Sequence, residues 1–142
     1  MSHTIHVDIS RAANGRQQIR SRNAVAEAGR AADGSDADDA FRAGELLLGA
    51  LGACTAGTVW AYARQHGITA LEEVRVHVAG DEETAPSRIA RIRVEVQVSG
   101  ALSEVERDRL QRAAHACKIH NTLRHLPEIS VGVSLAEAPV SA

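Results

Sequence analysis

The order of strand-like and helix-like patterns along the chain predicts an α+β fold, with antiparallel sheets packed around a long buried central helix. Several stretches alternate apolar and polar residues, and this period of two is typical of antiparallel strands covered on one face. An apolar stretch rich in small residues, at residues 41–66, predicts the central helix. A length of 142 residues suits one domain, so residues 1–142 are expected to fold as a single unit.

The N-terminal elements are predicted to form a hairpin. Residues 5–9 alternate as a strand does, Asn14 and Gly15 give a turn signal, and a second strand is expected at residues 17–26. Residues 29–39 are rich in Ala, Asp, Gly and Ser, which favours an exposed loop. The aspartates of this loop lack the turn glycine and the closing glutamate that a calcium-binding loop needs.

The central helix is predicted at residues 41–66, with Gly67 at the position that commonly ends a helix. Between Gly44 and Gly57 the sequence is apolar nearly all round, so this helix is expected to be buried on most of its faces. Its glycines lower the helix propensity, but small side chains allow another backbone or helix to approach closely.

The second half of the chain predicts two strands, a helix and a last strand. The strands are expected at residues 74–78 and 89–98, joined by a loop at residues 80–87. Ser103 and Glu106 form a capping box that begins a helix extending to about Cys117. A turn or short helix is expected at residues 120–125, and a last strand at residues 129–133.

Composition argues against several classes of partner. The formal net charge is −2 and aromatic residues make up 2% of the chain, so neither bulk charge nor base stacking supports nucleic-acid binding. The N-terminus does not resemble a signal peptide, and Gly, Thr and Cys interrupt the longest apolar run, at residues 46–62. The expected location is therefore the cytoplasm, without a membrane partner.

Cys54 and Cys117 are the residues most suited to chemistry. They are the two cysteines of the chain, 63 positions apart, and they form neither a disulfide framework nor a C-x-x-C motif. One interpretation is a pair of inert buried thiols. The other is a reactive thiolate, which needs a cation or a hydrogen-bond donor nearby. Arg16 is the favoured cation, with Arg20 and Arg22 as alternatives, because a guanidinium can donate to both a thiolate and a peroxide oxygen.

Three histidines lie near Cys117 in the sequence, at positions 115, 120 and 125. His120 is the favoured functional one, because it follows Cys117 by three residues and can lie beside it as a base toward the thiol; the alternative is that all three are surface histidines on a short polar turn. Cys117 and His120 could share a metal ion, but two ligands do not complete a zinc site. No metal site is therefore predicted.

Two segments resemble one protein family. Residues 45–56, ELLLGALGACTA, resemble the first-cysteine helix of the OsmC/Ohr family, and residues 117–123, CKIHNTL, are similar to its second-cysteine motif. The order and spacing of the elements also match along nearly the whole chain. The resemblance implies an intertwined homodimer in which the central helices pack together and the active sites lie at the subunit interface.

The resemblance also implies a thiol-dependent peroxidase acting on organic hydroperoxides. Cys54 would attack the peroxide and become a sulfenic acid, Cys117 would form a disulfide with it, and an external dithiol, with a lipoyl-type dithiol as a candidate, would reduce that disulfide. Arg16 would activate the thiolate, Glu45 would orient Arg16, and His120 would contact the substrate. No metal or organic cofactor is expected.

The sequence departs from the family pattern at two positions. Gly44 stands where peroxidase members carry the orienting glutamate, and Glu45 is one residue away, a rotation of about 100° on a helix. Lys118 stands where a proline usually follows the second cysteine. An alternative function is therefore a non-enzymatic protein that binds a small apolar ligand at the dimer interface. A third is detoxification of another electrophile by the same thiolate.

Overall fold

The computed structural model describes residues 3–30, 33–35 and 37–136. The elements are β1 (Asp8–Arg11), β2 (Gln17–Ser21), β3 (Ala24–Ala28), α1 (Ala43–Gln65), β4 (Leu71–Thr84), β5 (Ser87–Gly100), α2 (Glu104–Ala113), a 3-10 turn (Ala114–Ala116) and α3 (Lys118–Arg124). β1, β2 and β3 form one antiparallel sheet, and β4 and β5 form a second. The predicted α+β architecture with antiparallel sheets is confirmed.

The N-terminal sheet begins with the predicted hairpin turn. Gly15 has φ +85°, a conformation that glycine adopts without steric cost, and the Asn14 side chain accepts a hydrogen bond from the amide of Arg16 at 3.0 Å. The first strand lies at residues 8–11 rather than 5–9. The single strand expected at residues 17–26 is wrong, because a turn at Arg22 (φ +55°) divides it into β2 and β3.

The position of α1 agrees with the sequence, but its burial does not. The helix ends before Gly67, which has φ +65° as expected of a residue that closes a helix. Within one chain it buries a single stripe with one residue per turn, namely Leu51, Thr55, Val59 and Ala63. The small residues Gly49, Ala53 and Gly57, on other faces, are exposed. The expectation of burial on most faces is therefore wrong for the single chain.

The length and apolar composition of α1 would by themselves suffice to cross a membrane. Core helices of folded domains pass the same test, and the buried stripe of α1 packs on β4 and α2. Gly52 and Gly80 allow this approach: a Cβ at Gly52 would lie 3.1 Å from Val78, and one at Gly80 would lie 3.1 Å from Leu48. The predicted role of small residues in close packing is confirmed at these two positions.

β4 and β5 form a longer hairpin than the sequence indicates. Each strand has 14 residues, and the tight turn between them contains Ala85 and Pro86. The loop expected at residues 80–87 is wrong, because residues 80–84 continue the ladder, with Gly80 opposite Ile92 and Asp81 opposite Arg91. The acidic and polar residues of this segment are typical of a loop, so the sequence pattern does not indicate a strand. Cross-strand ion pairs such as that of Asp81 with Arg93 stabilise the strand.

α2 begins with the predicted capping box, and it completes the core. The Ser103 hydroxyl accepts a hydrogen bond from the Glu106 amide at 3.1 Å, and the Glu106 carboxylate accepts one from the Ser103 amide at 3.0 Å. The helix ends at Ala113, four residues earlier than expected. Its Leu110 is fully buried, in a cluster that also contains Val59, Ala63, Ile68 and Leu71.

The last strand expected at residues 129–133 is wrong for the single chain. Residues 126–136 form no helix or strand in the part of the chain that the structure describes. Ile129, Val131 and Val133 are 83%, 85% and 95% exposed. The alternating pattern is present, but no sheet edge of the same chain pairs with it, and a strand needs such a partner for its amides and carbonyls.

Replacement of Leu110 by Ala tests the core. Leu110 is 0% exposed, so the variant loses apolar burial and leaves a cavity, and we expect its free energy of unfolding to fall by about 2–5 kcal/mol. Val105→Ala is the control, since Val105 lies on the same helix but is 66% exposed. Urea unfolding at one protein concentration measures both. Equal losses in the two variants would contradict this description of the core.

Candidate active site

The two cysteines meet where α1 lies beside the start of α3. Cys54 is partly buried near the middle of α1, and Cys117 is completely buried at the N-cap of α3. The Cys117 backbone is extended (φ −78°, ψ 137°), and its sulfur accepts a hydrogen bond from the His120 amide at 3.4 Å. An N-cap side chain typically accepts from the third amide of its helix, which explains the Cys-x-x-His spacing.

Hydrogen bonds around Cys54 favour its thiolate. Burial alone raises the pKa of the Cys54 thiol, but hydrogen bonds from the Cys117 side chain and from the backbone amides of Ile119 and Lys118 outweigh it, with a smaller contribution from Thr58. The net effect is a pKa below the ordinary thiol value. A nucleophilic thiolate is therefore available at lower pH than for a free cysteine.

The break between α2 and α3 supplies the donors. α2 ends at Ala113, the 3-10 turn follows, and the extended Cys117 lets a new helix begin at Lys118. The first amides of any helix have no acceptor inside that helix, so those of Lys118 and Ile119 are available to the thiol. A proline at position 118 would have no amide hydrogen. The departure from the family pattern at Lys118 thus adds a donor.

Arg16 directly precedes β2 and pairs with two carboxylates. Its guanidinium contacts Asp39 at 2.6 Å and Glu27 at 3.4 Å. The hydrogen bond with Asp39 raises the pKa of Arg16 and lowers that of Asp39. Among the described residues, Arg16 is not one of the groups that shift the pKa of Cys54. The single chain therefore does not bring Arg16 to the thiol.

The alternative arginines and Glu45 are also separate from the cysteine pair. Arg20 donates to the Gln18 side chain at 2.8 Å, and Arg22 lies in the turn between β2 and β3. The Glu45 carboxylate accepts a hydrogen bond from the Arg42 amide at 2.8 Å, so it caps α1. Nine residues separate Glu45 from the cysteine, about 14 Å along the helix axis.

His120 is brought to the site through its backbone. Its amide contacts the Cys117 sulfur, while its ring meets the ring of His115 edge-on, with centroids 6.3 Å apart. In the described ranges, no group of three or more His, Cys, Asp or Glu residues is arranged to hold a metal ion. The chemistry that this arrangement supports is that of two adjacent thiols.

Sequence reasoning found both cysteines but missed the donors that act on Cys54. The amides of Lys118 and Ile119 have no sequence signal of their own, because every residue except proline carries one. Their position could have been inferred from Cys117 as an N-cap, which would have required the helix break at residues 114–116 to be recognised. Thr58 had a signal, since it follows Cys54 by four residues on the same helix face.

A comparison with protein families matches residues 34–132 to the family described as OsmC-like protein. The chain belongs to the OsmC-like protein family. The match includes both cysteines and all of α1. A comparison of this OsmC-like protein with curated protein sequences finds no match.

Solved structures agree with this OsmC-like fold. An OsmC-like protein from Mycoplasma pneumoniae has a TM-score of 0.73 at 18% identity, covering 89% of this chain and 91% of that one. The organic hydroperoxide resistance protein OsmC from Legionella pneumophila has a TM-score of 0.61 at 18% identity, covering 87% and 90%. The organic hydroperoxide resistance protein OhrB of Bacillus subtilis has a TM-score of 0.59 at 18% identity, covering 87% and 93%. At these identities the likeness establishes the fold.

Replacement of Lys118 by Pro tests the backbone donor. Proline suits the first position of a helix, and the extended Cys117 is the conformation that a residue before proline prefers, so the fold should tolerate it. Because an amide that favours the thiolate is lost, we expect the pKa of Cys54 to rise and its alkylation to begin at higher pH. Lys118→Ala, which keeps the amide, should behave as the wild type.

The measurement is the pH dependence of iodoacetamide labelling of the Cys54 peptide, followed by mass spectrometry. If the labelling midpoint is the same in Lys118→Pro and Lys118→Ala, the amide does not stabilise the thiolate.

Proposed function

We propose that the protein is a thiol-dependent peroxidase that reduces organic hydroperoxides. The observation that carries this proposal is the position of Cys54 on α1 beside the start of α3, where hydrogen bonds from Cys117 and from the amides of Ile119 and Lys118 lower the pKa of its thiol. A peroxidatic cysteine needs both an accessible thiolate and a partner that prevents over-oxidation. Membership of a family that has organic hydroperoxide resistance proteins among its structural neighbours supports the same reaction.

The proposed cycle has three balanced steps. The Cys54 thiolate attacks the outer oxygen of the hydroperoxide, so that an S–O bond forms, the O–O bond breaks and the alkoxide leaves, taking a proton from solvent to become the alcohol. The Cys117 thiol then attacks the sulfenic sulfur, an S–S bond forms and water leaves. An external dithiol, for which a lipoyl-type dithiol is our candidate, reduces the disulfide to two thiols and becomes oxidised itself.

The hydrogen bond between the two thiols supports the second step. Disulfide formation requires close Cα atoms and suitably directed side chains, and the side chain of Cys117 lies near enough to Cys54 to lower the pKa of its thiol. Cys117 is 0% exposed, so peroxide reaches the partly exposed Cys54 first. This difference supports Cys54 as the peroxidatic residue and Cys117 as the resolving one.

We also propose that the protein is an intertwined homodimer. Gly49, Ala53 and Gly57 form an exposed small-residue face on α1, and a Cβ at either glycine would meet open space. Residues 129–133 retain a strand pattern without a strand partner. A second copy of the chain would bury this face and provide a sheet edge for these residues. Arg16 and its supporting carboxylates would then reach the Cys54 of the partner subunit, where His120 would help to contact the substrate.

The remaining partners follow from the proposed chemistry. The substrate is a small hydroperoxide, the reductant is a soluble dithiol, and we place the reaction in the cytoplasm. Neither a metal ion nor an organic cofactor takes part in the three steps, because the thiols supply the two electrons that the peroxide O–O bond receives, and the external dithiol restores them.

A non-enzymatic ligand-binding function is the second candidate. It is favoured by the start of α1, where Gly44 carries no carboxylate and Glu45 caps the helix rather than contacting Arg16. Such a protein would retain a bound apolar ligand through purification, and its Cys54 would not react with peroxide. Native mass spectrometry together with a peroxide assay distinguishes the two functions.

Replacement of Cys54 by Ser tests the peroxidase directly. With cumene hydroperoxide and a dithiol, we expect the wild type to consume peroxide and Cys54→Ser to lose turnover completely, because serine has no nucleophilic thiolate. Cys117→Ser should still undergo the first oxidation, after which Cys54 accumulates as sulfinic acid detectable by mass spectrometry. Wild-type consumption no faster than that of Cys54→Ser would reject the proposal.

Replacement of Ala53 by Glu tests the homodimer. Sedimentation equilibrium of the wild type should give twice the 15.1 kDa mass of one chain. Ala53→Glu places a charge on the proposed helix contact and should shift the equilibrium toward the monomer. Ala101→Glu, at another exposed alanine before α2, is the control. A wild-type protein that sediments as a monomer at all concentrations would refute the dimer.

A further inference from the structure

Thr58 follows Cys54 by four residues on α1, and its hydroxyl serves two acceptors of that cysteine. The Thr58 hydroxyl donates to the Cys54 carbonyl at 2.8 Å. Side chains on a helix point toward its N-terminus, so the Thr58 side chain covers the turn that carries Cys54. A hydrogen bond from the same side chain also lowers the pKa of the Cys54 thiol. One partly buried hydroxyl is therefore shared between the oxygen and the sulfur of a single residue.

The Cys54 carbonyl does not depend on this hydroxyl. In an α-helix each carbonyl accepts from the amide four residues later, so the Thr58 amide already donates to the Cys54 oxygen. The hydroxyl is a second donor to that oxygen. It carries one hydrogen, which can rotate about the C–O bond without movement of a heavier atom. If the hydrogen turns away from the carbonyl, no backbone group loses its only partner.

Ionisation of the thiol changes which acceptor is the stronger one. A hydrogen bond to an ionised group is roughly twice as strong as one between neutral groups, so a thiolate attracts the hydroxyl hydrogen more than a neutral thiol does. The backbone fixes the amides that act on Cys54, whereas the hydroxyl can turn. Among the described residues, the groups that lower this pKa include no charged side chain; they are Cys117, Ile119, Lys118 and Thr58.

We propose that Thr58 is a positioning residue for the peroxidatic cysteine, and that its hydroxyl hydrogen turns from the Cys54 carbonyl to the Cys54 sulfur when the thiol loses its proton. The inference rests on the proposed peroxidase function and adds a residue that acts through the nucleophile. The hydrogen bond to sulfur forms in the charged state, so it favours the reactive thiolate over the neutral thiol.

Thr55 provides a matched control on the same helix. Its hydroxyl makes the same kind of hydrogen bond, to the Leu51 carbonyl at 2.8 Å. Thr55 is 3% exposed, and among the described residues it is not one of the groups that shift the pKa of Cys54. Replacement by Val at either position removes one hydroxyl and keeps a β-branched side chain. An effect seen at position 58 alone therefore belongs to the sulfur and not to the helix.

The test is the pH dependence of iodoacetamide labelling of the Cys54 peptide in the full chain, followed by mass spectrometry. We expect Thr58→Val to raise the labelling midpoint by about half a pH unit, which slows labelling roughly threefold at pH values below the midpoint. Thr58→Ser, which keeps the hydroxyl, and Thr55→Val should both retain the wild-type midpoint. Thr58→Ala also lacks the hydroxyl and should match Thr58→Val.

Single-turnover oxidation of Cys54 by cumene hydroperoxide gives a second readout. Thr58→Val should be slower than the wild type below the midpoint and equally fast at high pH, where the thiol is ionised in both proteins. Slowing by the same factor at every pH would indicate a purely structural role and would overturn the inference.

The two proposals fail in different ways. Equal labelling midpoints in the wild type and Thr58→Val would overturn the role of Thr58, while oxidation of Cys54 by cumene hydroperoxide would still support the peroxidase. An equal rise in Thr55→Val or in Thr58→Ser would also overturn the role of Thr58. A rise confined to the variants without the hydroxyl at position 58, with no oxidation of wild-type Cys54, would support the donor and reject the peroxidase.

Discussion

A thiol inside an apolar helix becomes a nucleophile only where hydrogen-bond donors reach it, and in this protein two of the donors are the first amides of α3. Cys54 provides the sulfur, but burial by itself would raise its pKa. The amides of Lys118 and Ile119 reverse that effect, and they are available because the chain breaks its helix at residues 114–116. Had α2 continued unbroken, its own carbonyls would have accepted those hydrogen bonds.

The position of Cys54 depends in turn on how α1 is fixed against the second sheet. Val59 and Leu110 are fully buried between α1 and α2, and Gly52 and Gly80 allow α1 to lie close to β4. These contacts set the distance between α1 and the start of α3. α1 contacts α3, and Cys117 at the start of α3 is fully buried, so packing holds the two free cysteines near each other. The site thus depends on core packing, whereas Arg16 directly precedes β2 in the N-terminal sheet, which is separate from the sheet of β4 and β5.

Much of this fold could be predicted from local patterns in the sequence. The Asn14–Gly15 turn, the end of α1 at Gly67 and the capping box at Ser103 each depend on residues within a few positions, and each was found where expected. The wrong predictions concern segments whose structure depends on whether a distant strand pairs with them. Residues 80–84 form a strand because β5 pairs with them, and residues 129–133 do not because this chain offers them no edge.

In the candidate site, too, local patterns identified some residues while contacts between distant elements were missed. The sequence identified both cysteines, and the structure brings them together. The sequence could not identify the amides that act on Cys54, because their role depends on where the backbone N–H groups point and not on the type of residue. Arg16 and Glu45 were assigned through family resemblance, and one chain leaves both away from the thiols. Contacts between residues that are far apart in the chain cannot be located from local sequence patterns.

Donation from the backbone has a consequence for how this site can change during evolution. The side chains at positions 118 and 119 can vary in size and charge while the amides remain, since only proline lacks the hydrogen. The exposed Lys118 could become acidic or neutral and alter which molecules approach, with the donor geometry at Cys54 preserved. The side chain and the amide of Lys118 therefore have separate effects, so a substitution at this position can change the charge of the surface near Cys54 while the hydrogen bond from the amide remains.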